Sequence, residues 1–176
     1  MNIRLANQKD LEAIAQVYRA SIQVLCAKDY DQEVIESWQF SSSAQSRIHL
    51  VNEGKLWVVD AFSRTAFDLN SNHNETKVTS LTQDELTPLA GFMVVTPGEL
   101  VSLFIHPDYA GFGVGKKLAQ MGIQMAKKGC SSIRLESTLT ALPFYQKLGF
   151  VEQSRGYFSH GRSDLKIPVV NMTLTF

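Results

Sequence analysis

Cysteine is scarce in this chain: Cys26 and Cys130 are the only two among 176 residues. They are too few and too separated for a disulfide framework or a metal-ligand cluster, and they read as buried, reduced thiols. Net charge is missing as well. Seventeen basic residues cancel seventeen acidic ones, so no global field draws the protein to nucleic acid or to an anionic membrane. No apolar run approaches the roughly 20 residues that cross a bilayer, and residues 1–5 do not open a signal peptide. A cytoplasmic protein with neither nucleic acid nor membrane among its partners is therefore expected. The four histidines show no ligand spacing, so no metal is expected.

What is present suits one soluble α/β domain over residues 1–176. Hydrophobic residues make up 44% and charged residues 19%, enough to bury a core and too few charges for disorder. Strand-like and helix-like patterns alternate. Residues 2–6 suggest a strand, and Asn7 a cap for the helix in which Leu11, Ile14, Ala15, Tyr18 and Ile22 share a face. Residues 31–38 suggest a second helix. Ser42 and Gln45 have the spacing of a capping box, and Gly54 is a stop signal. Strands are expected at 55–62, 89–95, 100–105 and 132–136, with helices at 114–125 and 140–148. Residues 150–153 and 169–176 complete the pattern. Residues 63–87 are polar, rich in Asn, Ser and Thr, and read as an insertion in a hairpin.

The stretch FIHPDYAGFGVGKKLA, residues 104–119, carries the chemistry. A β-like run ends at His106-Pro107, glycines follow at 111, 113 and 115, and Lys116-Lys117 lead into the helix. Glycines admit close approach, and helix N-termini offer unpaired N–H groups and partial positive charge, so an anion is expected there. A Walker loop fails, because residue 110 is alanine and Lys117 stands where a hydroxyl is needed. A dinucleotide fingerprint fails too, because the sixth position from Gly111 is Lys116.

Residues 99–117 do resemble the core motif of the GNAT (GCN5-related) N-acetyltransferases, Gln/Arg-x-x-Gly-x-Gly/Ala, with Gly113 and Gly115 in its last two places. Residues 141–150, ALPFYQKLGF, resemble the family's second motif through Ala141, Phe144, Tyr145, Gly149 and Phe150. Residues 29–38 resemble the second-helix region of a bacterial branch of small single-domain members. The resemblance implies the GNAT fold: a central mixed, mostly antiparallel sheet, splayed at the coenzyme A site and flanked by helices. It implies acetyl-CoA as donor to a small-molecule or peptide amine, by direct attack in a ternary complex and with no metal. A homodimer is compatible with it. The implied donor site runs along Leu103, Phe104 and Ile105, whose strand would expose amides to the pantetheine arm. It continues through Ala110, Gly111, Phe112, Gly113, Val114, Gly115 and Lys116, with Thr138 and Phe144. Two departures stand out. Ala110 replaces the Gln/Arg side chain, and Thr138 stands where the second motif has asparagine.

Acetylation of an amine needs a base, because an amine of pKa about 10.4 is protonated at neutral pH. It also needs an acid for the departing thiolate. By resemblance Glu99 is the base and Tyr145 the acid; as plain residues they read as a solvated strand-start carboxylate and a core aromatic. Tyr18, Tyr30, Trp38 and His160 fall in segments that surround the acceptor by resemblance, though each also suits core packing. A non-catalytic acyl-CoA-binding sensor on the same fold is the alternative reading.

Overall fold

The computed structural model describes residues 1–41, 43–63, 87–158 and 166–176. His160, Ser42 and nearly all of the 63–87 insertion lie outside the described residues. The chain runs β1 (Ile3–Leu5), α1 (Leu11–Ala20), α2 (Gln32–Gln39), α3 (Ile48–Asn52), β2 (Leu56–Asp60), β3 (Leu89–Thr96), β4 (Glu99–Ile105), α4 (Val114–Ala126), β5 (Ser132–Thr138), α5 (Leu142–Lys147), β6 (Val151–Tyr157) and β7 (Pro168–Thr175). The strands expected from the sequence are all present, the sixth extending four residues beyond 153.

Local signals explain the element starts. Asn7 accepts from the Lys9 N–H while the Asp10 carboxylate accepts from the Asn7 N–H at 2.8 Å, a reciprocal cap ahead of α1. Arg4 grips the same carboxylate through two 2.8 Å bonds and also reaches Asp60 at 2.9 Å, tying β1 and β2 to that cap. In the segment before α3 the observed cap is Ser43, which accepts from the Ser46 N–H.

The seven strands form one sheet in the order β1-β2-β3-β4-β5-β7-β6. Every neighbouring pair is antiparallel except β4 with β5. Strand alternation divides the core between the two faces. Leu56, Val58, Phe92 and Val94 pack under α1 and α2 with Ile14, Val17 and Ile22. Val59, Met93, Leu100, Ile133 and Val170 pack on the other face with Leu118 and Ile123 of α4. The result is a helix–sheet–helix sandwich.

Tyr30, expected near the acceptor, is bonded into this frame. Its hydroxyl donates to the Pro168 carbonyl at 2.8 Å and accepts from the Leu139 N–H at 2.9 Å, clamping the approach to α2 onto the ends of β5 and β7. Burial pushes its pKa up to about 12, so the clamp keeps its proton across the neutral range. Tyr30→Phe removes both bonds and leaves buried backbone groups without that partner. The expected cost is about 1–3 kcal/mol in urea unfolding. A changed acceptor KM at unchanged stability would return Tyr30 to the site.

Candidate active site

The site begins where the sheet comes apart. β4 and β5 are paired only at Glu99↔Arg134, and beyond that point they diverge. β4 stays bound to β3 on its other side. Opposite the splay, the His106 N–H donates to the Ala90 carbonyl at 2.9 Å. Because antiparallel bonding alternates, the Phe104 and Ser102 amides face β3, whereas the Ile105 and Leu103 amides turn toward the open side. Val101 is the extra residue of a bulge, since Val95 pairs with Leu100 and Val94 with Ser102. A bulge bends its strand and adds twist, which carries β4 away from β5.

Below the splay, the loop into α4 forms a second feature. Gly113 caps the helix at φ +78°, in the left-handed region, and Gly111 lies at φ +86°. Only glycine takes such angles without strain. The first helical bond runs from the Lys117 N–H to the Gly113 carbonyl, leaving the Val114, Gly115 and Lys116 amides without an intrahelical acceptor. The fold itself does not demand glycine at 115. A Cβ there would meet Ile105 at 3.6 Å and the Phe144 ring at 3.8 Å, both ordinary contacts. That small volume is left for something else. A shallow hollow bordered by Gly111, Phe112, Gly113, Lys116 and Lys117 lies beside these amides. Ala110 is exposed at the end of the preceding turn and contributes no side-chain donor.

A cavity of about 550 Å³ opens on the α1–α2 face of the splay. Leu103 and Phe104 of β4, Glu136 and Thr138 of β5, and Tyr145 of α5 line it together with Tyr18, Trp38, Arg47 and His49. Pro143 fits the first turn of α5, and the Thr138 hydroxyl accepts from the Ala141 N–H at 3.0 Å. That hydroxyl is therefore used to start the helix. Tyr145 is 6% exposed, with its ring edge-on to Phe144 and Phe150 at 5.0 and 5.7 Å between centroids. No described residue hydrogen-bonds its hydroxyl, and burial raises its pKa well above the ordinary value. Tyr18, also pushed up by burial, shares a 3.0 Å hydrogen bond with Ser41.

The structure places Glu99, the expected base, outside the residues that line the cavity. Its carboxylate pairs with Arg134 at 3.0 Å where β4 and β5 meet. The carboxylate that does line it is Glu136, on the same face of β5 as Arg134. Neither Glu136 nor Arg47 was singled out from the sequence. The signal available for Glu136 was a carboxylate on the polar face of an alternating strand, two residues from Arg134. Arg47 gave no sign beyond its place in a polar helix start. Among the described residues no group of three or more His, Cys, Asp or Glu is placed to hold a metal, and no helix is long and apolar enough to cross a membrane.

The profile of the acetyltransferase (GNAT) domain matches residues 26–176. The chain belongs to the GNAT acetyltransferase family. Its mixed seven-stranded sheet with flanking helices matches GNAT structures. A GCN5-related N-acetyltransferase from Rhodopseudomonas palustris superposes with TM-score 0.73 at 22% identity, over 99% of this chain and 95% of its own. The PaiA N-acetyltransferase of Thermoplasma acidophilum, solved with coenzyme A, gives TM-score 0.66 at 22% identity over 99% and 98%. Among curated proteins, the glucosamine 6-phosphate N-acetyltransferase of Trypanosoma brucei brucei is 37% identical over 59 residues, 33% of this chain and 40% of that protein. The peptidyl-lysine N-acetyltransferase YjaB of Salmonella typhimurium is 37% identical over 60 residues, 34% of this chain and 41% of that protein. This chain thus aligns with about two fifths of each curated relative.

The outward amides of Leu103 and Ile105, the orphan amides of α4 and the space at Gly115 fit the coenzyme A portion of the GNAT donor, acetyl-CoA. They would meet its amide-bearing arm and its pyrophosphate respectively. Gly113→Asp puts a negative charge at the orphan amides, where it competes with any phosphate. Beyond its chain neighbours nothing lies within 4 Å of a Cβ built at Gly113, so the variant adds backbone strain at a positive φ but no clash, and its fold is checked by circular dichroism. Calorimetry is expected to detect no coenzyme A binding to Gly113→Asp and only weakened binding to Gly113→Ala, which shares the backbone strain without the charge. Retained affinity in Gly113→Asp would move the pyrophosphate elsewhere.

Proposed function

We propose that the protein is an acetyl-CoA-dependent N-acetyltransferase acting on a primary amine of a small molecule or peptide, without a covalent enzyme intermediate. The observation that carries this reading is the meeting of two openings at Tyr145. Residues of both β4 and β5 beyond their single register pair line one cavity on the α1–α2 face, and Tyr145 lines it with them. Bound acetyl-CoA supplies an acetyl thioester: the amine nitrogen forms a bond to its carbonyl carbon, and the carbon–sulfur bond breaks. The chain's residues supply positioning and protons.

The Leu103 and Ile105 amides hold the donor arm as a neighbouring strand would. Val114, Gly115 and Lys116 donate their N–H groups to the pyrophosphate, and the Lys116 ammonium offsets the charge that Ala110 cannot. Glu136 takes the proton that an ammonium must lose before its nitrogen can attack. The Tyr145 O–H delivers a proton to the leaving sulfur, and the proton released as the amide forms restores it. Trp38, Tyr18 and Phe104 exclude water from the acceptor side. The assembly suits direct transfer, because neither Cys26 nor Cys130 lines the cavity.

The reading is tested by following thiol release from acetyl-CoA with a panel of amines. Coenzyme A binding without thiol release from any amine would leave the sensor alternative in its place. With the best amine, Tyr145→Phe keeps the ring and its packing but lowers kcat by about 10²–10⁴-fold, with coenzyme A affinity unchanged. Wild-type turnover with chemistry limiting would reduce Tyr145 to a wall of the cavity. The two carboxylates separate in the same assay. Glu136→Gln lowers kcat at neutral pH, by an amount that shrinks as rising pH deprotonates the free amine. Glu99→Gln leaves kcat within a few-fold of wild type; the reverse pattern would restore Glu99 as the base.

A further inference from the structure

Arg47 lies in an environment that costs free energy as it stands. It follows the turn Ala44–Arg47 and caps α3. Its guanidinium carbon lies 4.4 Å from the Tyr18 ring centroid and 5.5 Å from that of Phe92. Its Nη1 is sealed from solvent and has no hydrogen-bond partner. Among the described residues no carboxylate pairs with it. Burial lowers its pKa below the ordinary arginine value and the Arg19 charge adds to that, against the contrary pull of Tyr18. The two aromatic faces recover part of the lost hydration. They leave Nη1 without an acceptor, and a desolvated cation with an unmet donor is costly. As a packing element alone, a methionine of similar length would be cheaper. The expense points to a partner that arrives with the substrate.

We infer that Arg47 recognises an anionic group on the acceptor, and that the acceptor is an apolar amine bearing a carboxylate, in the manner of a free amino acid. This rests on the acetyltransferase reading above and narrows its substrate class. Arg47 lines the same cavity as Tyr145 and Glu136, so an acceptor seated there meets a cation from α3 and a carboxylate from β5. Opposite charges on two elements of one cavity suit a zwitterion. Arg47 is the one guanidinium or ammonium among the cavity-lining residues described. One fixed positive charge matches a carboxylate; a phosphate monoester carries close to two negative charges and calls for more. Trp38, Leu50, Tyr18 and Phe104 on the remaining walls favour an apolar or aromatic side chain.

Matched acceptors test this with the intact protein. L-leucine, L-methionine and L-phenylalanine are compared with their C-terminal amides and with the corresponding decarboxylated amines, by thiol release and by calorimetric titration of the coenzyme A complex. The carboxylate forms are expected to lead in kcat/KM by about 10- to 100-fold, mostly through KM, and to bind correspondingly tighter. Arg47→Met should abolish that preference with coenzyme A affinity unchanged, and Arg47→Lys should keep part of it. Equal use of acids and amides by the wild type would overturn the inference while leaving the acetyltransferase reading intact. A preference that survives in Arg47→Met would overturn it as well. O-phosphoethanolamine favoured over every carboxylate would transfer the site to phosphate and refute the carboxylate assignment. Failure to bind coenzyme A, or to release thiol with any amine, would refute the acetyltransferase reading and this inference with it.

Discussion

β4 and β5 part company after one register pair, Glu99 with Arg134, and the rest of the site follows from that parting. Had the ladder continued, the Leu103 and Ile105 amides would be spent on β5, and Glu136 would face a neighbouring strand. The parting is stable because each strand is secured on its other side. β5 is paired with β7 along all seven of its residues, and β4 with β3 from Glu99 to Ile105. The Glu99–Arg134 ion pair at 3.0 Å closes the narrow end, and the Val101 bulge turns β4 outward just beyond it. Peptide groups left open inside a fold must be met by water or by a ligand. A splay of this kind therefore leaves amides open to water or to a ligand.

α4 keeps the two halves of the donor site in register. Leu118 and Ile123 are buried beneath the sheet with Met93 and Leu100, so the helix axis cannot shift without opening the core. Gly122 is packed closely: a Cβ there would lie 2.8 Å from Leu100 and 3.1 Å from Met93. The orphan amides at the start of α4 and the outward amides of β4 thus move as one body. Rigid placement of several weak donors is what lets backbone groups alone recognise a ligand.

Much of this was legible in the sequence, and what was missed shares a cause. Period-2 and period-3.6 patterns located the strands and helices, because those patterns reflect which face meets the core. The glycine loop was legible because positive φ and an approachable helix start leave a compositional trace. The pairing of Glu99 was not legible, because position along a strand says which face a side chain takes, not whether a cation waits on the next strand. Arg134 is 35 residues away in sequence, and only the β4–β5 contact brings the two together. The hydrogen bonds of Tyr30 were hidden for the same reason, since its partners Pro168 and Leu139 lie more than a hundred residues downstream. Arg47 carried no local pattern at all; its meaning comes from rings on α1 and β3 and from the lack of an acceptor.

Burial of Tyr145 raises its pKa, which at first sight makes it a poorer acid. A thiol of pKa about 8.5 in water forms a weaker base than a tyrosinate, so outright proton transfer runs uphill if only the phenol is desolvated. The leaving sulfur, however, develops its charge in the same enclosed space and loses the same hydration. Desolvation therefore raises both affinities for the proton and changes their difference much less. What burial does secure is that the phenol is fully protonated and its O–H unengaged by any described protein group when charge appears on sulfur. A preformed donor needs no reorganisation at that moment. On the proposed reading, the shift that looks like a handicap keeps the proton in place until the carbon–sulfur bond begins to break.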